Sequence, residues 1–359
     1  MIFHNFESTD MVLGRTNTVS SGFWYDGSYE LSQSFLSIDT NQTIETGSNS
    51  YDIKNGLYYY NVYNDDPSYS YSQVHFTITY GDYAGSGSSS TYETLKLFPT
   101  KAIYSQYKNY LLNPEDSLFS FRTGSLTVSS NTDNTTTVNS ETIFVINFSG
   151  DKFKDRVDQG QLEFSLSGSN GTFSFIDDSS ILGKKSDVYN IISGSINNGI
   201  PTTYTSGGYV PYKALGLFYP KLGIIILNAA SINTLIGIPT YSRITTTKNH
   251  QYLYNVLVAS TTKTMKVRKS EFIPSRHYFV RVKNQDSNYS NNPTFYSDGT
   301  DGKTKGTIKI DDFLTNPKTY ITTIGLYDDS NELIAVAKLS QPCQKSFDNE
   351  LNIRIRLDM

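Results

Sequence analysis

Cysteine, tryptophan and long apolar runs are scarce in this chain of 359 residues. Cys343 is the only cysteine, so a disulfide within the chain is excluded and stability does not require an oxidising compartment. The longest apolar run, residues 222–230, is far shorter than the roughly 18 apolar residues of a membrane-spanning helix. The first residues carry neither a basic stretch nor an apolar core, which predicts no signal peptide. We therefore expect a chain that is made and folded in the cytosol and has no membrane partner.

Charge is also scarce, and it is not concentrated in one place. Charged residues make up 18% of the chain, below the roughly 25% of an average soluble domain, and the formal net charge is -4. Proteins that bind nucleic acid usually carry a concentrated basic patch. The one basic run here, residues 266–269, is short and is soon followed by Glu271. The composition therefore predicts no nucleic-acid partner.

Sequence motifs for catalysis and metal binding are missing as well. The four histidines are scattered, without an H-x-H or H-E-x-x-H pattern, and cysteine pairs are absent. The Gly/Ser-rich loop of residues 81–90 lacks the Gly-Lys-Ser/Thr ending of a phosphate-binding loop, and no G-x-S-x-G motif occurs. For Cys343 a structural thiol is favoured over a nucleophile, and for His75 and His277 a hydrogen-bonded surface position. These patterns predict a protein that is not an enzyme and has no catalytic, cofactor-binding or metal-binding residues.

Adjacent carboxylates raise the alternative of a glycan hydrolase. Adjacent pairs occur at Asp65-Asp66, Asp177-Asp178, Asp311-Asp312 and Asp328-Asp329. A glycosidase needs two carboxylates roughly 5 to 10 Å apart across a cleft, whereas neighbouring residues of a strand point to opposite faces. A glycan hydrolase is therefore a disfavoured alternative.

Residues 296–306 could offer oxygens to calcium, but a turn-rich loop is favoured because the EF-hand spacing is absent.

Aromatic residues and alternating patterns are abundant in the chain. There are 28 Tyr and 20 Phe, which suit pleated, half-buried surfaces, and short segments alternate apolar and polar residues along most of the sequence. In residues 74–80, for example, every second residue is apolar. The sequence predicts a mainly β fold with β-sandwich-like sheets, one or a few short helices and an extended N-terminal arm.

One segment has a clear helical period. Residues 100–112 place Ile103, Tyr107, Tyr110 and Leu111 on one stripe, with Thr100 positioned to cap the helix. Residues 1–50 form an extended arm or short strands, residues 51–275 a main β-rich domain with this helix, and residues 276–359 a C-terminal β subdomain with a hairpin and a terminal strand. The last two segments are alternatively one continuous unit.

The two ends of the chain carry the candidate interface residues, which are Phe3, Phe6, Phe23, Trp24, Tyr25, Arg354 and Arg356. The N-terminal aromatics lack the periodicity of a local core, and the last strand alternates an apolar face with a charged face. The alternative is that the arm folds back and the strand pairs inside its own sheet. In the preceding hairpin, residues 320–342, the aliphatic side chains Ile321, Ile324, Leu326, Leu333 and Val336 are expected to be packing residues.

Four segments together resemble a known family. They are "HFTITYGDYAGSGSSS…PTKAIYSQYKNYLL", "VINFSGDKFKDRVDQGQLEFSLSG", "VRVKNQDSNYSNNPTF" and "KTYITTIGLYDDSNELIAVAKLSQPCQKSFDNELNIRIRLD". They resemble a virion structural protein of contractile-tailed phages, T-even-like and cyanophage-type, from about residue 75 onward.

The resemblance implies a baseplate-wedge protein without catalytic residues or a cofactor. It would be assembled in the host cytoplasm into the virion, as a homo-oligomer or in several copies, with other virion structural proteins as partners. Another virion position (neck, fibre attachment or capsid surface) and a host-surface or receptor-binding module remain alternatives.

Overall fold

A computed structural model of the chain describes residues 5–14, 16–31, 37–38, 59–85, 99–127, 132–183, 186–203, 209–239, 241–243, 248–259 and 265–358. Strands account for 48% and helices for 16% of the described residues. An ordinary globular protein has about a third of its residues in helices. The prediction of a mainly β fold is therefore confirmed.

The chain forms two compact units. The larger unit is Val19–Glu271, and the smaller unit combines Met1–Thr18 with Phe272–Met359. The N-terminal segment that the sequence suggested as one arm, residues 1–50, is therefore divided between the two units.

The described residues contain strands and helices that are numbered here in chain order. The strands are β1 (Met11–Leu13), β2 (Asn17–Gly22), β3 (Glu30–Leu31), β4 (Ser37–Ile38), β5 (Tyr59–Tyr63), β6 (Val74–Asp82), β7 (Phe119–Thr127), β8 (Thr132–Ser140), β9 (Thr142–Phe148), β10 (Arg156–Val157), β11 (Glu163–Gly168), β12 (Gly171–Asp177), β13 (Tyr189–Asn197), β14 (Ile200–Thr203), β15 (Tyr209–Lys213), β16 (Gly216–Tyr219), β17 (Ile224–Asn228), β18 (Met265–Lys266), β19 (Arg268–Ile273), β20 (Ser275–Val282), β21 (Thr319–Tyr327), β22 (Leu333–Lys345) and β23 (Leu351–Asp358). The helices are α1 (Pro99–Leu111), α2 (Ser179–Leu182), α3 (Ala229–Ile236), α4 (Asn249–Val258) and α5 (Asp312–Thr315).

Twelve strands of the larger unit form one sheet. Their order is β3-β18-β11-β12-β13-β16-β17-β9-β6-β5-β4, and β14 pairs with β13 beside this path. The registers of this sheet are antiparallel, for example Ile225 opposite Ile146 and Phe76 opposite Phe148. Because paired residues share a face of the sheet, this register brings apolar side chains from successive strands together.

The long sheet curls around α4. This helix contacts β11 near one end of the strand order and also β5 and β6 near the other end. It is buried on several sides, with Leu253 and Val256 in the core and His250 against the ring of Tyr60 at 5.0 Å between ring centroids. Six of its ten residues are buried and Asn255 is exposed, so α4 packs most of its surface against the concave side of the sheet.

A second layer covers the opposite face of the long sheet. In β9, Phe144 belongs to the core around α4, whereas its neighbours Ile143 and Val145 pack with Tyr104 of α1 and Phe119 of β7. The strands β15, β7 and β8 form a separate three-stranded sheet in that layer. Both faces of the long sheet are thus covered by apolar contacts, and His75 of β6, predicted at the surface, is only 2% exposed.

Helix α1 begins at Pro99 and ends at Leu111, within about a residue of the prediction. Thr100 therefore lies in its first turn instead of capping it. The buried aromatic residue is Tyr104, which the predicted stripe omitted, while Tyr110 of that stripe is 62% exposed. The predicted stripe is confirmed for Tyr107 and Leu111, which pack against the same cluster as Tyr104, and is wrong for Tyr110.

Two separate sheets lie in the described part of the smaller unit. Strands β1, β20 and β23 form one, with eight registered pairs between β20 and β23 from Ser275 opposite Asp358 to Val282 opposite Leu351. Strands β21 and β22 form a two-stranded hairpin, the hairpin that the sequence predicted. The terminal strand thus pairs inside its own chain, the alternative that the sequence left open.

Candidate subunit interface

Two of the predicted interface aromatics lie in the core. Phe23 is 2% exposed and Trp24 4%, and the ring centroid of Phe148 lies 5.2 Å from that of Phe23 and 6.2 Å from that of Trp24. The expectation that these side chains lie on an exposed arm is therefore wrong.

A tight turn explains why this segment folds back. The amides of Phe23 and Trp24 both donate to the carbonyl of Ser28, and Gly27 adopts a positive φ of 77°. A Cβ at Gly22 would lie 1.7 Å from the carbonyl oxygen of Gly27, so only glycine allows this approach. The turn directs two consecutive aromatic rings into the core without any repeating pattern.

The remaining N-terminal candidates have different surroundings. Tyr25, at the same turn, is 57% exposed, with the Lys152 ammonium 5.4 Å from its ring centroid. Phe6 is 38% exposed, and its ring centroid lies 5.5 Å from that of Tyr278. Phe3 lies outside the described residues. An interface role for Tyr25 and Phe6 stays a prediction.

The C-terminal strand presents the two predicted arginines on one exposed face. Arg354 lies opposite Phe279, and Arg356 lies opposite His277. The Nε of Arg356 is 2.8 Å from a carboxylate oxygen of Asp358, so this cation already has a partner in its own chain. Arg354 makes no ion pair or hydrogen bond within the described residues. The apolar face on the other side of β23 includes Ile355, which is buried at 7% exposure.

The hairpin β21–β22 exposes apolar side chains that the sequence assigned to packing. Leu326 is buried at 6% exposure, but Leu333 and Val336 are 52% and 57% exposed, and Ile334, which the prediction omitted, is 65% exposed. The packing role is therefore wrong for Leu333 and Val336. The register explains the difference, because Val336 lies opposite Gly325, on the face away from the pair of Leu326 and Ala335.

The hairpin is also open at its edges. Within the described residues neither β21 nor β22 pairs with a third strand. Pro342 interrupts the donor pattern of β22, and the register shifts between Ile321 and Thr323. The base of β22 is held by Lys345, whose ammonium donates to the carbonyls of Asn284 at 2.8 Å and Ser346 at 2.5 Å and to Asn288 Oδ1 at 3.0 Å.

A small pocket of about 90 Å³ lies in the larger unit. Its lining residues are Trp24, Tyr25, Asp26, Ser28, Glu30, Leu31, Asn64, Asp65 and His75. Burial, together with the nearby Lys152 charge, lowers the pKa of His75 to about 4, so the imidazole is neutral at pH 7. No described carboxylate hydrogen-bonds His75 to orient it as a base, and the Ser28 hydroxyl donates to the Glu30 carbonyl. Among the described residues, the pocket thus holds no hydrogen-bonded pair of His75 and a carboxylate.

The most buried carboxylate pair has a structural role. Asp177 accepts hydrogen bonds from the amides of Gly160 and Ser179, and Asp178 accepts from Asn190 and from the Tyr212 hydroxyl at 3.1 Å. Burial raises the pKa of both carboxyl groups. Their oxygens are thus used within the chain, where they join the end of β12 to the neighbouring strands.

The loop considered for calcium is held by lysines and turns. The Lys309 ammonium lies 3.6 Å from Asp301, and Asp301 also accepts from the Ser297 hydroxyl and the Lys303 amide. No group of three or more His, Cys, Asp or Glu side chains that could hold a metal ion occurs in the part of the chain that the structure describes. In that same part, no helix is both long and apolar enough to cross a membrane.

Comparisons with known proteins found no matching family model, no matching curated protein and no matching solved structure. The exposed face of the hairpin and the arginine-bearing face of β23 are accordingly interpreted from their own geometry and chemistry.

Proposed function

We propose that this protein is a non-enzymatic structural component of a contractile-tailed phage virion, located in the baseplate wedge, where it mediates contacts between subunits. The four segments that resemble virion proteins support the phage assignment. The exposed apolar face of the hairpin carries the proposal of a contact role.

Covering the hairpin face with a partner is energetically favourable. A two-stranded hairpin alone is at best marginally stable in water, and three neighbouring aliphatic side chains on this one, Leu333, Ile334 and Val336, are each more than half exposed. Contiguous exposed apolar patches mark interaction surfaces in soluble proteins. Open strand edges additionally offer backbone hydrogen bonds to a partner strand. A partner that covers this face would bury the aliphatic side chains and complete the sheet.

Other virion proteins are the partners that this role requires. In a multi-copy assembly each copy would present the same hairpin, so a weak contact gains strength from repetition. A position at the neck, the fibre attachment site or the capsid surface would use the same hairpin. A host-binding module would also use this hairpin. The position of the chain in the assembled particle distinguishes these alternatives.

The test is incorporation of hairpin variants into phage particles. The double substitution Ile334→Asp/Val336→Asp places two charges on the apolar face, and we expect particles that lack the protein or fail to complete a tail. Thr322→Asp is the matched control, because Thr322 is exposed on the neighbouring strand and, by alternation, lies on the face away from Gly325 and Val336. Circular dichroism of the purified variants checks that both remain folded.

Two outcomes contradict the proposal. Normal incorporation of the folded double variant would show that the hairpin is not the contact, and absence of the wild-type chain from purified virions would exclude the structural role altogether. Density for the chain in a reconstruction of the intact particle would assign its position.

A further inference from the structure

We propose that the acidic tip of the hairpin in one copy of this chain binds the arginine face of a second copy. The acidic tip consists of Asp328, Asp329 and Glu332, and the arginine face consists of Arg281, Arg354 and Arg356 on the sheet of β20 and β23. The inference deepens the proposed subunit-contact role by naming the partner surface, and it rests on that role.

The acidic tip has carboxylates that are available for a partner. All three residues are exposed. Asp328 closes the turn, since its Oδ1 accepts hydrogen bonds from the amides of Ser330 at 2.9 Å and Glu332 at 2.7 Å. The side chains of Asp329 and Glu332 make no hydrogen bond or ion pair within the described residues. The turn therefore holds the backbone in one shape and leaves two negative charges directed to solvent.

The arginine face contains a cation without a partner. Arg281 pairs with Asp10 at 2.9 Å and Arg356 pairs with Asp358 at 2.8 Å, which leaves Arg354 as the one member with no ion pair in the described part of the chain. An arginine binds a carboxylate through two parallel hydrogen bonds, which gives direction as well as attraction. Arg354 is thus the expected anchor, with Arg281 and Arg356 beside it.

Apolar groups match across the two surfaces as well. Arg354 lies opposite the half-buried Phe279, and Val12 of β1, which is 48% exposed, lies opposite His277 in the adjacent row. At the hairpin, Leu333 and Ile334 immediately follow the acidic tip. Each surface thus places apolar side chains beside its charged residues, and the charges of the two surfaces are opposite in sign. This is the composition of an interface in which an apolar centre is surrounded by polar contacts.

A charge-exchange experiment on the full-length chain tests the inference. One variant, Asp329→Lys/Glu332→Lys, makes the tip basic, and a second variant, Arg354→Glu, makes the face acidic. Sedimentation equilibrium of the wild type should show concentration-dependent self-association, which each variant alone weakens about tenfold or more because like charges then meet. An equimolar mixture of the two variants should associate to within about threefold of the wild type, because each altered surface then finds an opposite charge.

Matched controls lie on the same unit. Arg276→Glu reverses an exposed arginine on the opposite face of β20, and Glu350→Lys reverses an exposed carboxylate just before β23. Neither control should change self-association. Three results would overturn the inference: a wild type that stays monomeric at about 100 µM, variants that associate like the wild type, or a mixture that does not recover association.

The outcome separates this inference from the proposed function. A chain that is monomeric in solution but present in purified virions would overturn only the contact between copies. Recovery of association by mixed variants of a chain that is absent from virions would retain the contact and reject the virion role.

Discussion

At Tyr104 a single hydroxyl group joins helix α1 to two strands. It donates to the Ser140 carbonyl at 2.7 Å and accepts from the Phe119 amide at 3.0 Å, and the residue has no exposed surface. Tyr104→Phe would leave a buried amide and a buried carbonyl without this partner. We expect a loss of about 1–3 kcal/mol in the free energy of unfolding, measured by urea denaturation with the fluorescence of Trp24.

Tyr110→Phe is the control for this substitution, because Tyr110 is on the same helix and 62% exposed. It should leave the denaturation midpoint unchanged. Equal midpoints for Tyr104→Phe and the wild type would contradict the assigned role of the hydroxyl.

Burial of His75 is expected to make the free energy of unfolding depend on pH. Its pKa falls from an ordinary 6.5 to about 4 on folding, chiefly because the ring is buried. The unfolded chain therefore binds more protons between pH 4 and 6.5, so His75 contributes stability that is complete above pH 6.5 and is lost as the pH falls towards 4. The full contribution is about 3 kcal/mol.

The measurement compares urea denaturation of the wild type and His75→Gln at several pH values. The difference between them should change over this window and be constant above it. Subtraction removes the contribution of Asp177 and Asp178, whose raised pKa values act in the opposite direction. A difference that is independent of pH would reject the assignment to His75.

At the scale of elements, the buried Lys345 ammonium fixes the base of the hairpin to the turn after β20. Lys345→Met would remove the donor to three oxygen atoms, those of Asn284, Asn288 and Ser346. We expect local opening of β22 to become about tenfold more frequent or greater. The half-buried thiol of Cys343, the only one in the chain, allows this opening to be followed as the rate of labelling by a thiol reagent.

Lys338→Met is the matched control, since Lys338 is exposed on the same strand. The labelling rate of this control should stay within about twofold of the wild type. If Lys345→Met behaves like the control, the buried lysine does not hold the hairpin.

Elements also show where sequence patterns were sufficient. The alternation in β23 correctly placed Arg354 and Arg356 on the exposed face, and the helical period located α1. In contrast, the hairpin residues Leu333, Ile334 and Val336 have an apolar sequence that cannot show whether a partner covers them, because burial depends on other parts of the fold.

At the scale of the whole molecule, the N-terminal segment is part of the fold. A deletion of residues 1–30 would remove Phe23 and Trp24 from the core. Truncation of a buried aromatic residue costs about 3–5 kcal/mol. We therefore expect the deletion to unfold the larger unit, which loss of the cooperative thermal transition in circular dichroism would show.

The double substitution Phe23→Ala/Trp24→Ala should have a comparable effect while keeping the chain length. Tyr25→Ala is the control, since Tyr25 belongs to the same turn and is mostly exposed. A deletion variant that melts at the wild-type temperature would contradict the placement of Phe23 and Trp24 in the core.

Side-chain periods within a few neighbouring residues were enough to predict the mainly β character, the position of α1 and the two faces of the terminal strand. Which of these faces are covered depends on packing between distant parts of the chain. Phe23 and Trp24 are buried because a glycine turn brings them against β9, and His75 is buried beside the ring of Trp24, whose centroid lies 4.9 Å from that of the imidazole. These contacts join residues that are far apart in the chain, so a repeating pattern of neighbouring side chains cannot predict them. The exposure of the hairpin also depends on the rest of the fold. The alternating sequence of its strands predicts apolar faces, and one of these faces is not covered by the described residues.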